Sequence, residues 1–240
     1  MNIILLAAGL EAFSRKADEY PLYLSERNGV SLLESLLRKC LRTSPDRVIC
    51  LFSAEDISRF KLNNMLRQLD GAVKLVSVPS LTAGAACSAL LASEFIDNDS
   101  ELLMLNANEL LEAELGEILT DFRTRPCDAG VVTFSSLHPR YSFVRVDEAG
   151  YVSEAAEKNP ISSHAVAGFY WFRHGRHFVE AAKSMIRKDA HSNGVFYVTP
   201  SLNEMILAGK RVSTYSVLPA SYLPLKSSAH IHKFEVLSER

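Results

Sequence analysis

The 240-residue sequence is short of the features that mark specialised chains, and each shortage removes a class of function. Its cysteines, Cys40, Cys50, Cys87 and Cys127, form no Cys-x-x-Cys pair. Neither a zinc ribbon nor a redox dithiol is written here, and buried free thiols are expected. Charge of one sign is also missing: the net charge is -2 and the pI about 6.4, which gives no bulk attraction to nucleic acid or an anionic membrane. No window approaches the ~18 uninterrupted apolar residues of a membrane span. The apolar run Ile3 to Ala8 has no basic flank and is shorter than a signal core. A cytoplasmic protein is expected, with neither nucleic acid nor membrane as partner. Nor is there a repeat, a linker, or a Ser/His/Asp or Cys/His nucleophile set.

What is present is ordinary globular material, 48% hydrophobic and 22% charged, enough to bury a sizeable core. Short β-branched runs alternate with stretches of period near 3.6, the pattern of a mostly parallel sheet with helices on its faces. Strands are expected at Asn2 to Ala7, Arg47 to Phe52, Val73 to Val76 and Glu101 to Leu105. Helices are expected at Ser31 to Leu41, Glu55 to Leu69 and Ala83 to Phe95, the last capped by Thr82. Beyond residue 125 the pattern turns strand-rich: Ala129 to Ser135, Tyr141 to Val146 and Tyr151 to Glu154, with Asp147 to Gly150 as a hairpin turn. Ala165 to Phe172 reads as a further strand, then Gly175 to Lys188 and Pro200 to Ala208 as helices, the second ended by Gly209. The fold expected is one α/β domain over 1–240, a Rossmann-like mixed sheet with helices on both faces. Its first half covers about 1–125 and its second about 126–217, and the segment 218–240 has no clear period.

Several segments, taken in order, resemble the motifs of one family. They are Leu6-Ala7-Ala8-Gly9, Pro21, Gly29, Thr82-Ala83-Gly84-Ala85-Ala86, the stretch Leu103 to Glu109, Glu157-Lys158, Ala167-Gly168-Phe169-Tyr170 and Asn193-Gly194-Val195-Phe196-Tyr197. Together they resemble the sugar-phosphate nucleotidylyltransferases, the nucleoside-diphosphate-sugar pyrophosphorylases, whose fold is of the glycosyltransferase-A type. The resemblance implies a nucleotide side built on Ala7, Ala8, Gly9, Thr82, Gly84 and Asn108. It implies an acceptor side built on Glu157, Lys158 and Gly168, where the lysine meets the acceptor's phosphate as a point charge.

The departures from the family pattern fall on one side. The phosphate loop of the family offers a second glycine, an arginine and a later lysine, where this chain has Glu11, Phe13 and Leu22. A carboxylate ~4 Å from a phosphate charge is repelled by ~1 kcal/mol in bulk water and ~4 kcal/mol at an effective dielectric near 20. The magnesium site of the family draws on an Asp where this chain has Asn108, with Glu109 beside it, and on a second near the C-terminus, where Ser221 to Lys226 holds no carboxylate. The expectation is therefore a degenerate member that keeps a pocket for a sugar phosphate or nucleotide sugar, within surface-polysaccharide metabolism, and no metal site. One alternative is an active transferase in which Arg15, Lys16 and Glu109 assume the lost roles with Mg2+. Another is a structural partner subunit. A homo-oligomer is compatible with every one of these readings.

Each residue also has a plainer reading. Gly9 can be a bare strand-to-helix turn, Glu11 a solvated loop residue, Lys158 a turn lysine, and Asn108 a helix cap. His174 with His177, and His230 with His232, lack a third ligand and read as surface histidines. Phe169, Tyr170 and Trp171 read as core rather than as a stacking platform, and Tyr197 as core or a helix lead-in, with the lining of the acceptor pocket as its second reading.

Overall fold

A computed structural model describes residues 1–9, 20–69, 71–79 and 81–225. The strands are β1 (Asn2–Leu6), β2 (Glu26–Arg27), β3 (Val30–Ser31), β4 (Arg47–Ser53), β5 (Val73–Val78), β6 (Leu102–Asn106), β7 (Glu109–Leu111), β8 (Ala129–Ser135), β9 (Ser142–Val146), β10 (Val152–Glu157), β11 (His164–Phe172), β12 (Val212–Val217) and β13 (Tyr222–Pro224). The helices are α1 (Leu32–Leu41), α2 (Ala54–Arg59), α3 (Leu62–Leu69), α4 (Ala85–Leu90), α5 (Ser93–Ile96), α6 (Leu115–Thr124), α7 (Gly175–Arg187) and α8 (Val198–Leu207).

The expected mixed sheet with helices on both faces is what the chain forms. β5, β4, β1 and β6 run parallel, in that order across the sheet. β11 then joins β6 antiparallel, β8 lies antiparallel to β11, and β12 lies parallel to β8. The β9–β10 hairpin attaches at the first part of β11, where Ala165 meets Phe143. Its turn closes as the sequence predicts: Gly150 donates to the Asp147 carbonyl at 3.1 Å, with φ +85° at the glycine.

Alternation along the central strands divides the core into two layers. Ile4, Ile49, Leu51, Met104 and Tyr170 point into one, which α4, α7 and α8 cover. Ile3, Leu5, Val48, Cys50, Leu103 and Trp171 point into the other, under α1, α3 and α6. Trp171 is fully buried and stacks on Phe122 with centroids 5.7 Å apart, so the aromatic run in β11 is core. Cys40, Cys50 and Cys127 are buried thiols and Cys87 is half-buried; burial pushes the Cys40 thiol up to about 12.

Four expectations need correction. The helix expected over Glu55 to Leu69 is two, because Phe60 ends the first and Lys61 sits at φ +52° between them. The helix expected over Ala83 to Phe95 is likewise split into α4 and α5, and its cap is Gly84 at φ +136°, with no side-chain cap bond. Thr82 instead turns its hydroxyl to the Gly84 carbonyl (3.0 Å) and to the Ser88 hydroxyl (2.7 Å). The last helix starts at Val198 rather than Pro200, which then stands in the first turn, where a missing N–H loses no helical bond. Finally, α6 and the strands β2, β3, β7, β12 and β13 are additions to the elements expected from sequence.

Two further devices fix the frame around the site. Ser31 and Ser53 cap α1 and α2 through the Glu34 and Asp56 amides at 3.2 and 3.1 Å, each worth ~1 kcal/mol. The Asn203 side chain on α8 donates to the Ala155 carbonyl and accepts from the Ala155 amide, both at 2.8 Å, copying a strand partner and covering part of β10.

Candidate functional site

At the carboxyl ends of β1 and β6 the register sets Leu6 beside Asn106, and Ala107 donates to the Leu6 carbonyl at 3.0 Å. On the other side of β6, Leu105 pairs with Phe169, which brings Gly168 next to Asn106. Ala7, Asn106 and Gly168 therefore stand at one level across the sheet, where open α/β sheets place their ligands. Ala7 donates to Leu51 at 3.0 Å, Ala8 is buried, and Gly9 is exposed, with nothing among the described residues within 4 Å of where a Cβ would stand. Of the phosphate-loop positions, Leu22 opens the short 3-10 turn Leu22–Leu24, which the Tyr23 hydroxyl pins by donating to Asp56 at 2.7 Å. Glu11, Phe13, Arg15 and Lys16 lie outside the described residues, as do His230 and His232.

Gly168 is the centre of a bulge. Between Val166 and Tyr170 of β11 the ladder advances only from Thr133 to Val131 on β8, and Gly168 itself sits at φ +62°. The space a side chain would need there is taken: an ideal Cβ would lie 1.6 Å from Glu109 Oε2 and 2.7 Å from Asn106 Nδ2. Asn106 Nδ2 in turn donates to Glu109 Oε2 at 3.1 Å. Glu109 is 7% exposed, so its carboxylate is a plug under the bulge. Behind it stands Tyr222 of β13, whose phenol is raised well above its ordinary range by burial and then by the Glu109 charge. A small cavity with room for about one water molecule lies beside Glu109, lined also by Lys39, Asn106 and Gly168. Burial lowers the Lys39 ammonium, against the pull of Glu114 and Glu112.

β13 brings the C-terminal segment back to the tip of β6. It pairs antiparallel with β7, and Leu225 donates to the Asn108 carbonyl at 2.8 Å. The two places from which the resemblance draws magnesium ligands thus converge, and neither offers a carboxylate: Asn108 is an amide, Leu225 is fully buried, and Glu109 is turned to Asn106 and Gly168. Among the described residues no group of three or more His, Cys, Asp and Glu could hold a metal ion. Those residues do not fit magnesium, which prefers hard oxygen ligands in octahedral array. His174 and His177 meet edge to face at 5.0 Å; His174 Nδ1 lies 2.7 Å from the Asp99 carbonyl, and burial lowers His177.

The residues that the resemblance assigns to an acceptor have a different character. Glu157 ends β10 and accepts from the Ser142 hydroxyl. Lys158 follows at φ +53°, its backbone N–H on the Tyr141 carbonyl at 3.0 Å and its exposed ammonium 2.9 Å from the Tyr197 hydroxyl. Tyr197 leads into α8 and is half-buried. Its neighbour Phe196 is stitched to the Thr82–Ala86 loop: Phe196 donates to Ala83 at 2.7 Å, and Ala86 donates to Phe196 at 3.0 Å. A Cβ on Gly84 would lie 2.4 Å from the Phe196 carbonyl oxygen, so that glycine has a packing reason of its own. The Tyr170 and Thr199 hydroxyls share a hydrogen bond at 2.7 Å; burial raises the Tyr170 phenol, with Glu157 and Glu109 adding to the effect.

The sequence model of the nucleotidyl transferase family matches residues 18–208. The chain belongs to that family. Its fold is similar to that of the nucleoside-diphosphate-sugar pyrophosphorylase from Vibrio cholerae RC9, at 18% identity and TM-score 0.79, covering 98% of this chain and 99% of that one. A Bacillus anthracis protein assigned as a glucose-1-phosphate thymidylyltransferase, in complex with a sucrose, matches at 16% identity and TM-score 0.76, covering 99% and 94%. The inositol-1-phosphate CTP transferase from T. maritima matches at 13% and 0.72, covering 97% and 95%. No curated protein matches the chain in sequence. No helix among the described residues of this nucleotidyl transferase-family chain is long and apolar enough to cross a membrane.

Sequence reasoning missed Asn106, Tyr222 and the Phe196 stitch, and it weighed Tyr197 mainly as core. A signal existed for the last: Tyr197 precedes Val198-Thr199-Pro200, and a polar-tipped aromatic just ahead of a helix stands where its ring can pack while its hydroxyl stays in reach of solvent.

Proposed function

We propose that this family member binds a sugar phosphate on its acceptor side and is impaired or inactive in nucleotidyl transfer, acting as a binding or sensing protein of surface-polysaccharide metabolism in the cytoplasm. The observation that carries this reading is the contrast across the site. Lys158 stands exposed with its charge on a hydrogen-bonded partner, while at the tip of β6 Asn108 and Leu225 bring no carboxylate and Glu109 is buried and turned to Asn106. In a transfer reaction the acceptor's phosphate oxygen attacks the α-phosphorus in line and displaces pyrophosphate, and catalysis rests on cations that neutralise the developing charge. Leu22 and Asn108 supply none. The acceptor half keeps its chemistry: an ammonium for the phosphate, a carboxylate in Glu157 for sugar hydroxyls, and a backbone bulge at Gly168 over which a sugar ring can lie close. The family membership and the names of the structural neighbours support a ligand of this class.

The test is pyrophosphate release over a grid of NTPs and sugar 1-phosphates with magnesium. Release at the enzyme-free background or only slowly above it is expected, and turnover at ~1 s⁻¹ or faster with any pair would overturn the reading. A second test restores the nucleotide side: Glu11→Gly, Phe13→Arg, Leu22→Lys and Asn108→Asp combined are expected to raise NTP affinity at least ~10-fold, the worth of one charge-assisted hydrogen bond. Unchanged affinity would mean that these positions are not the phosphate positions of the family.

A further inference from the structure

The Lys158 ammonium is not simply exposed. It donates to the Tyr197 hydroxyl at 2.9 Å and stands 5.1 Å from the centre of the same ring. The phenol oxygen accepts that bond, which leaves the phenol's own proton to be given onward. A hydroxyl that accepts from a cation is polarised and becomes a stronger donor to the next acceptor in the chain. The backbones of both partners are fixed independently, Lys158 by its left-handed turn and the Tyr141 carbonyl, Tyr197 by the Phe196 stitch to Ala83 and Ala86 and by the start of α8, so the contact between the two side chains sets where the ammonium rests.

From this geometry we propose that Tyr197 is the second hydrogen-bond donor to the acceptor's phosphate, and that it positions Lys158 for the same anion. The inference rests on the acceptor-binding reading above and names the residue that makes that site select a phosphate monoester over an unphosphorylated sugar. In the ligand-free protein the ammonium rests on the phenol. When the dianion arrives, the ammonium and the phenol proton both turn to its oxygens, one as a point charge and one as a directional donor.

The experiment is calorimetric titration of wild type, Tyr197→Phe, Lys158→Met and the double variant. The probes are inorganic phosphate, hexose 1-phosphates and the free hexoses, with the 31P shift of the bound ester as a second readout. Tyr197→Phe keeps the ring and its packing, and is expected to weaken hexose 1-phosphate binding ~10-fold. Free-hexose affinity should stay unchanged, and the 31P signal of the bound ester should move. In the Lys158→Met background the same change should lose most of its effect, because both groups serve one anion. If Lys158→Met weakens the ester while Tyr197→Phe leaves affinity and 31P shift as in wild type, the Tyr197 proposal is wrong and the acceptor reading stands. Equal losses for ester and free hexose in Tyr197→Phe would also overturn it, as the mark of a merely structural role. If wild type binds no phosphate-bearing probe, both fail.

Discussion

Gly168→Ala is expected to destabilise the protein by ~2–4 kcal/mol and to abolish measurable sugar-phosphate binding. Two effects add. A left-handed φ at a residue with a Cβ costs ~1 kcal/mol, and here φ is +62°. The larger part comes from the carboxylate beneath: the new Cβ would fall 1.6 Å from Glu109 Oε2, which must leave Asn106 and stay buried. A buried polar group deprived of its partner costs ~1–3 kcal/mol. Urea unfolding should show a lower midpoint at an unchanged slope, the sign of lost stability rather than an altered unfolded state. The mechanism makes a sharper demand as well. Glu109→Ala in the Gly168→Ala background removes the collision, so the double variant should be less destabilised than the sum of the singles by ~1 kcal/mol or more. Additive losses would show that Glu109 does not shape the bulge.

The second large effect falls on Gly84. Its φ of +136° belongs to a region that is nearly glycine's alone, and an added Cβ would meet Phe196 backbone atoms at 2.4 to 2.8 Å. Backbone cannot step aside as a flexible side chain can, so Gly84→Ala is expected to cost ~3 kcal/mol or more in denaturant unfolding. The displacement has one direct route, through Phe196 to Tyr197 and so to Lys158. Sugar-phosphate affinity should therefore fall even though Gly84 belongs to the loop that the resemblance assigns to the nucleotide. Full stability in Gly84→Ala, with only a nucleotide-related defect, would contradict the stitched loop.

How far the fold was legible follows from which forces act locally. The parallel strands β1, β4 and β6 are buried on both faces and read as continuous apolar runs, while β5, at the sheet edge and only partly buried, shows in its β-branched content, so all four are plain in sequence. The helix breaks at Lys61 and at Gly84 were not, because the apolar spacing continues through them and tertiary contacts decide where the backbone turns. α6 carries Leu115, Ile118, Leu119 and Phe122 at helical spacing and could have been read. β7 and β13 could not, since three residues have no period of their own and exist by pairing with each other.

The site divides in the same way. An amide at Asn108, where the resemblance expects an aspartate, is visible as a single residue, and the structure adds that the C-terminal segment brings Leu225 to that point. Contacts between distant segments were beyond reach. Nothing in the sequence places the Glu109 carboxylate in the hollow of Gly168, 59 residues later in the chain, or the Tyr197 phenol under the Lys158 ammonium. Glu109, a candidate catalytic carboxylate when read from sequence, is in the fold a buried partner of Asn106.

The proposed function holds that the acceptor half of the site is kept and the nucleotide half is lost. Heat denaturation of the wild-type protein, followed side by side with hexose 1-phosphates and with each magnesium-bound NTP, tests it most directly. A ligand that binds only the folded state adds ~2.7 kcal/mol at 100 times its dissociation constant, which moves a chain of this size by several degrees. Such a rise is expected with at least one sugar 1-phosphate, its loss in Lys158→Met, and no rise with any NTP. A large rise with one NTP and none with any sugar phosphate would contradict it.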